Sequence, residues 1–191
     1  MNKTSFVRTI RNMTTELDVL AIVGDRLTAR GIPFMLTGSF AMAHYAAPRM
    51  TRDLDIVVAL QPQDVPQVVA AFSADFYINA DAALAAIASE RMFNLMHYGS
   101  GIKVDLIVRK SSEYRILEFS RRRHVEMGTI GTWIVSREDL ILSKLVWAHD
   151  ARSELQLRDV GQLLSGPVDD DYLRTWAPLL GVESLLEESM R

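Results

Sequence analysis

The 191-residue sequence contains no cysteine. That absence removes disulfides, thiolate zinc sites and cysteine nucleophiles together, and it fits a reducing, cytoplasmic compartment. Long apolar runs are missing too. Nothing approaches the roughly 18 apolar residues of a membrane span, and the N-terminal MNKTSFVRTIRNMTTELDVL has no continuous apolar region of the signal-peptide kind. A soluble chain with no membrane partner is expected. Basic charge is not in excess either: the net charge of −3 and the pI near 5.8 exclude a bulk polyanion binder and leave room only for a local basic surface. There is no internal repeat and no low-complexity tract. What is present is a 49% hydrophobic content, enough for one sizeable core with a small helical appendage rather than two large independent domains.

Leu17, Leu20, Ala21, Val23, Gly24 and Leu27 recur near helical spacing, and Gly31-Ile32-Pro33 stops the pattern, which predicts a helix over residues 14–30. A strand over 33–37, a tight turn at Gly38-Ser39 and a short helix over 40–46 follow, the helix ending before Pro48. The next strand, 53–60, finishes in Ile56-Val57-Val58-Ala59-Leu60, a run apolar enough to be expected buried on both faces. Helices are predicted over 65–72 and 80–89, and strands over 92–98 and 103–108, joined as a hairpin at Gly99-Ser100-Gly101. A last short strand spans 132–135. Ser136 then suits the N-cap of REDLILSKLVWAHD, with Glu138 and Asp139 in the first turn. Residues 156–164, 170–180 and 182–190 carry further helical patterns. Composition therefore shifts from mixed α/β to all-α near residue 136, and a core of residues 1–135 with a helical subdomain of residues 136–191 packed on it is expected.

Two carboxylates, Asp53 and Asp55, stand at the entrance of an apolar strand. Successive strand residues alternate faces, so the two point the same way, about 7 Å apart along the strand, while Leu54 and Ile56 point the other way. Like charges on one face repel and are costly to bury unpaired; a divalent cation removes that cost and takes carboxylate oxygens as hard ligands. A solvent-facing strand end is the simpler explanation of Asp53-Leu54-Asp55 alone. A second apolar strand, Lys103-Val104-Asp105-Leu106-Ile107-Val108, also carries an embedded acid. If the two strands are neighbours, Asp105 completes a three-carboxylate set able to hold two metal ions about 4 Å apart, as suits phosphoryl or nucleotidyl transfer. Gly38-Ser39 supplies a complementary part: glycine lets backbone approach a ligand, a following helix N-terminus favours phosphate, and Ser39 adds a hydroxyl that can cap the helix or donate to phosphate.

Gly38-Ser39, thirteen intervening residues and Asp53-Leu54-Asp55-Ile56, with apolar Leu36 before and Ile56 after, resemble the hG[GS]…Dh[DE]h signature of the DNA polymerase β-like nucleotidyltransferase superfamily. Asp105 falls where that superfamily carries a third, less regular carboxylate, and the resemblance covers about residues 33–108. Leu140-Ile141-Leu142-Ser143-Lys144-Leu145-Val146-Trp147, followed by Leu157-Arg158-Asp159-Val160-Gly161-Gln162-Leu163-Leu164, is similar to the lysine helix and Arg-Asp helix of minimal nucleotidyltransferases related to the AbiEii abortive-infection toxins. One departure is that Gly161 and Gln162 follow Val160 where the family helix often has a second aspartate.

The resemblance implies an α/β (α+β) fold, a polymerase β-like core with a mixed β-sheet flanked by helices plus a C-terminal helical segment. It implies transfer of a nucleoside monophosphate from an NTP such as ATP to an acceptor hydroxyl, with Mg²⁺ or Mn²⁺ as cofactor on Asp53, Asp55 and Asp105. Gly38 and Ser39 would hold the β- and γ-phosphates, Lys144 the triphosphate, and Asp159 would organise the site. Asp105 serves either as ligand of a second metal or as base. An RNA or tRNA acceptor, a toxin role and an antitoxin protein partner are further implications. A small hydroxylated acceptor such as an aminoglycoside, a protein side chain, or a non-catalytic nucleotide-binding module stay open, and the Gly-Ser turn and short length count against an Asp-x-Asp glycosyltransferase.

Other residues have plainer readings beside functional ones. Lys144 on an apolar helix commonly snorkels, and Asp159 can pair with Lys144, Arg152 or Arg158. His44, His97, His124 and His149 lack metal-site spacing. Arg121-Arg122-Arg123-His124, with Lys110 and Arg115, forms a basic cluster, read as a solvated face or as an edge contacting RNA phosphates. Arg49 and Arg52 stand beside the acids, within reach of an incoming triphosphate. Trp133, Trp147 and Trp176 read as core or helix-packing residues.

Overall fold

The computed structural model describes residues 14–47 and 53–191. In chain order their elements are α1 (Glu16–Thr28), β1 (Phe34–Thr37), α2 (Gly38–Tyr45), β2 (Asp53–Val58), a 3₁₀ turn (Pro62–Asp64), α3 (Val65–Phe72), β3 (Phe76–Tyr77), α4 (Ala80–Ala88), β4 (Met92–His97) and β5 (Lys103–Val108). There follow α5 (Glu113–Ser120), β6 (Arg123–Met127), β7 (Ile130–Ile134), α6 (Arg137–Ala151), α7 (Glu154–Leu164), α8 (Asp170–Leu179) and α9 (Glu183–Ser189). The described strands are those of a mixed β-sheet, running β3-β4-β5-β2 in one part and β1-β7-β6 in the other. The mixed α/β class agrees with the sequence reading, as do the hairpin of β4 and β5 and the run of helices after Ser136.

The described residues divide into two compact units. The first takes the described parts of Met1–Phe34 and Arg52–Arg109 together with Glu126–Thr132. Helix α1 opens with a capping box, in which Thr15 accepts the Asp18 N–H and Asp18 accepts the Thr15 N–H at 2.8 Å. Its buried stripe of Val19, Leu20, Val23 and Leu27 is a one-sided helical pattern. At Gly24 a Cβ would lie 3.2 Å from the Phe34 ring, so the glycine lets that ring close on the helix. In the sheet of this unit β2 pairs in parallel with β5, and β5 pairs antiparallel with β4. Burying side chains such as Phe72, Phe76, Leu95 and Leu106 stabilises the unit by about 1.5–3 kcal/mol each.

One expectation fails here. Strand β2 is not buried on both faces: Leu54, Ile56 and Val58 are fully buried, whereas Asp53 is exposed and Asp55, Val57 and Ala59 are half-buried. The apolar run stops being strand at Val58, and its alternation is that of a sheet with one covered face.

The second unit comprises the described parts of Met35–Thr51 with Lys110–Val125 and Trp133–Arg191. Leu36 of β1 pairs in parallel with Ile134 of β7, and Val135 donates its N–H to the Leu36 carbonyl at 3.0 Å. Ser136 caps α6 as expected, accepting the Asp139 N–H at 3.2 Å. Leu140, Ile141, Leu142 and Leu145 of α6 are buried in this unit, as are Val160 and Leu163 of α7 and Leu173 and Ala177 of α8. Two of the tryptophans expected inside are not: Trp147 is 54% exposed and Trp133 38%. Trp176 does pack, its ring 5.2 Å from that of Tyr114.

Candidate functional site

In the first unit the register of β2 against β5 sets the acids. Asp53 lies opposite Lys103 and Asp55 opposite Asp105, while Ile56 faces Leu106. Residues opposed in register share a face, so Asp53, Asp55, Lys103 and Asp105 stand together on the less covered side of the sheet. Asn94 of β4, opposite Asp105 in the antiparallel pairing, extends the row. The neighbour relation that the sequence made conditional is thus met for Asp55 and Asp105.

Their surroundings are polarised. Asp105 is buried, and its Oδ2 accepts from the Lys103 ammonium at 3.0 Å. Its Oδ1 is also buried and has no hydrogen-bond partner among the described residues. A buried carboxylate oxygen without a donor costs about 1–3 kcal/mol, so this atom is a ready place for a cation or a donor. The Lys103 ammonium is pushed above its ordinary range, first by its hydrogen bond to Asp105, then by the charge of Asp105 and by those of Asp53 and Asp55. All three acids therefore act on one lysine. Among the described residues no group of three or more histidine, aspartate or glutamate side chains gathers as a metal site. The hard-oxygen donors and the orphaned Asp105 Oδ1 suit Mg²⁺ or Mn²⁺, but they are laid along two strands instead of closed around one point.

The second unit holds the Gly-Ser turn. Helix α2 begins at Gly38, one residue earlier than Ser39 and two earlier than the sequence reading placed it. Gly38 has φ of +67°, in the left-handed region that disfavours side chains. The N-cap residue Thr37 makes no side-chain capping bond, and Ser39 is buried. The far end of α2 is clamped: Tyr45 donates to the Val135 carbonyl at 2.6 Å, and Arg137 donates to the Tyr45 carbonyl at 3.1 Å. Burial pushes the Tyr45 phenol up to about 12, so it stays a donor at neutral pH.

Lys144 and Asp159 come together as the plainer reading had it. The ammonium donates to Asp159 Oδ2 at 2.6 Å and to Gln156 Oε1 at 3.0 Å, and lysine and aspartate are only 2% and 3% exposed. Gln156, one turn before Asp159 on α7, was missed; its signal was the three-residue spacing that puts both on one helix face.

The basic cluster is largely consumed inside the second unit. Arg121 donates through Nε to Asp139 Oδ2 at 3.0 Å and lies 3.9 Å from the centre of the Tyr172 ring. Tyr172 and Tyr114 also donate to fully buried Asp139, at 2.7 and 3.2 Å, and burial raises both phenols. Arg122 sits over the Phe119 and Trp133 rings, and Arg115 bridges Glu118 at 2.8 Å and Ser143 at 2.6 Å. Only Lys110, Arg123 and His124 are exposed. The run is neither a solvated face nor a continuous phosphate-contacting edge, because aromatic rings and buried acids compete for its arginines. Of the other histidines, His97 is buried against Ser100, and His44 and His149 are exposed. Arg49 and Arg52 lie outside the described residues.

The fold has solved relatives. A nucleotidyltransferase-like antigenic protein from Paracoccidioides brasiliensis superposes with a TM-score of 0.55 at 15% identity, over 90% of this chain and 89% of its own. The lincosamide antibiotic adenylyltransferase LnuA, bound to lincomycin, superposes with 0.52 at 14% identity, over 81% and 99%. ANT(2")-Ia in complex with adenylyl-2"-tobramycin gives 0.51 at 11% identity, over 90% and 94%. No curated protein matches by sequence. The family model described as nucleotidyl transferase AbiEii toxin, type IV TA system, matches residues 26–180, which include the Gly-Ser turn, all three acids, Lys144 and Asp159. The chain belongs to the AbiEii nucleotidyl transferase family, and it is a nucleotidyltransferase of the polymerase β-like fold.

Proposed function

We propose that the chain moves a nucleoside monophosphate from an NTP to an acceptor hydroxyl in a reaction that depends on Mg²⁺ or Mn²⁺. The observation that carries the metal dependence is the register of Asp55 opposite Asp105, with Asp53 on the same face and a donorless, buried Asp105 Oδ1. Asp53, Asp55 and Asp105 are the proposed ligands; the ion, when bound, neutralises triphosphate charge at the reacting phosphorus. Gly38 and Ser39 take the β- and γ-phosphates at the N-terminus of α2, where glycine lets the backbone approach closely and the helix dipole favours an anion. Arg52 is proposed to touch the triphosphate as well. The acceptor oxygen attacks the α-phosphorus, the bond to the β-phosphate breaks, pyrophosphate leaves, and the hydroxyl proton passes to solvent. Positioning and charge neutralisation supply most of the acceleration.

Lys144 is the proposed triphosphate cation and Asp159 the residue that organises it. Because its ammonium is held by Asp159 and Gln156, contact with phosphate requires the lysine to leave that pair. Incubation with labelled NTPs, Mg²⁺ and total RNA or hydroxylated small molecules is expected to give labelled product that Asp53→Ala abolishes. Label that survives this substitution refutes the assignment.

Of the basic cluster offered to an RNA or tRNA acceptor, Lys110, Arg123 and His124 are the exposed members. The inward commitment of Arg115, Arg121 and Arg122 favours a second reading, a small hydroxylated acceptor of the kind that LnuA and ANT(2")-Ia modify. The two separate in a gel shift: loss of RNA retardation in a Lys110→Glu, Arg123→Glu variant supports RNA, and no retardation by the parent protein supports the small acceptor. Membership of a toxin family further supports a toxin role with an antitoxin protein partner. Growth arrest on expression, relieved by a co-expressed antitoxin and absent in Asp53→Ala, is the expected outcome.

A further inference from the structure

Lys103 has no part in the reaction as proposed, yet the structure sets its ammonium within the acid row. It lies opposite Asp53 in register and two residues before Asp105 on the same strand face. Its ammonium is 3.0 Å from Asp105 Oδ2. The contact is lopsided in exposure: the Asp105 side chain is 9% exposed and that of Lys103 32%. A half-exposed lysine on a four-carbon stem can swing into solvent at little cost, whereas Asp105 is fixed in the ladder between β2 and β4.

We infer that Lys103 is a resident counter-ion of the acid row, which occupies Asp105 in the metal-free protein and is displaced when a divalent cation binds. This deepens the proposed function and rests on its assignment of Asp53, Asp55 and Asp105 as ligands. Lys103 acts through Asp105 and is a positioning residue. It keeps three acids on one sheet face compatible with folding when no metal is present, and it weakens metal binding by competing for Asp105. Binding thus exchanges one cation for another: the divalent ion takes the Asp105 oxygens and the ammonium moves out to water. Exchange of this kind makes the site selective for ions of higher charge than the lysine it already holds.

The test measures metal binding without nucleotide, by Mn²⁺ titration read by electron paramagnetic resonance and by Mg²⁺ calorimetry, on the parent protein, Lys103→Met and Lys103→Arg. Lys103→Met is expected to bind Mn²⁺ about tenfold more tightly, roughly the effect of removing one like charge a few ångströms from the ion at a half-exposed site. It is also expected to melt lower than the parent in EDTA and to regain the difference in Mg²⁺. Lys103→Arg retains the charge and should resemble the parent in both measurements. Adding Asp105→Asn to Lys103→Met should remove the gain in affinity. Unchanged or weaker Mn²⁺ binding by Lys103→Met with a parent-like circular dichroism spectrum overturns the inference, as does a melting loss that Mg²⁺ does not restore. Failure of the underlying reading looks different: no variant, Lys103→Met included, then binds Mn²⁺ at all.

Discussion

Replacing Asp159 with leucine removes the anion from an ammonium that is 2% exposed. At 2.6 Å and an effective dielectric near 20, the Lys144–Asp159 attraction is worth about 6 kcal/mol. Each ion also gives up several kcal/mol of hydration on burial, so the intact pair is near break-even and the damage appears when one partner goes. Asp159→Leu or Lys144→Met alone is expected to cost about 3–5 kcal/mol, which for a chain of this length lowers Tm by roughly 6–20 °C. The double variant Lys144→Met, Asp159→Leu leaves no buried charge unpaired at this pair, although Gln156 loses the Lys144 ammonium, and should lie within about 2 kcal/mol of the parent. Urea unfolding followed by circular dichroism measures all four proteins and closes the double-mutant cycle. Single losses below about 1 kcal/mol, or a double variant no better than the worse single, would refute the reasoning. The double variant also separates the roles of Lys144. If that residue serves the triphosphate, the refolded double variant will be stable and inactive.

Asp105→Asn leaves a half-exposed bridge to Lys103 unmade and should change stability by less than about 1 kcal/mol, while nucleotidyl transfer falls about a hundredfold or more; parallel melting and transfer assays check both. Gly38→Ala forces a side chain into a φ of +67° and is expected to cost roughly 1–2 kcal/mol, seen as a lower urea midpoint. Arg121→Ala takes the cation from fully buried Asp139 and should lose about 2 kcal/mol, whereas exposed Arg123→Ala should stay within about 0.5 kcal/mol. The Asp75 carboxyl is held below its ordinary 3.8 by hydrogen bonds from Arg26, at 2.6 and 2.7 Å. With its folded pKa depressed, its contribution is complete above about pH 4 and is lost as pH falls through the lowered value. Asp75→Asn should therefore flatten the acid limb of stability against pH, by no more than about 1 kcal/mol because both side chains are partly exposed.

The elements that were legible from sequence are those whose local chemistry and burial agree. Ser136 caps its helix where it stands in sequence, and Asp53 and Asp55 share one strand face while Leu54 and Ile56 take the other, as their alternation predicts. The pairing of Asp55 with Asp105 was legible only as a condition, because which strands adjoin depends on tertiary order. Residues 113–127 were read as charge alone, and α5 and β6 went unrecognised. Their polar residues make internal bonds: Glu118 and Arg115 are satisfied by each other and by Ser143, so polarity there does not signal exposure. Strand β3 is two residues long and exists only through pairing with β4. Lys103 was in view in the sequence, but its engagement of Asp105 depends on side-chain reach and not on pattern.

The opposition of Asp55 and Asp105 is a matter of count along the chain as much as of chemistry. The turn that feeds β5 closes at Gly101, whose N–H bonds the His97 carbonyl at 2.8 Å. Side chains alternate with a period of two, so gain or loss of one residue there would slide Val104 or Leu106 opposite Asp55 and turn Asp105 toward the covered face. A length change in this turn would thus silence the acid row while leaving every acid in place, so the site depends on the spacing of the hairpin as much as on the carboxylates themselves.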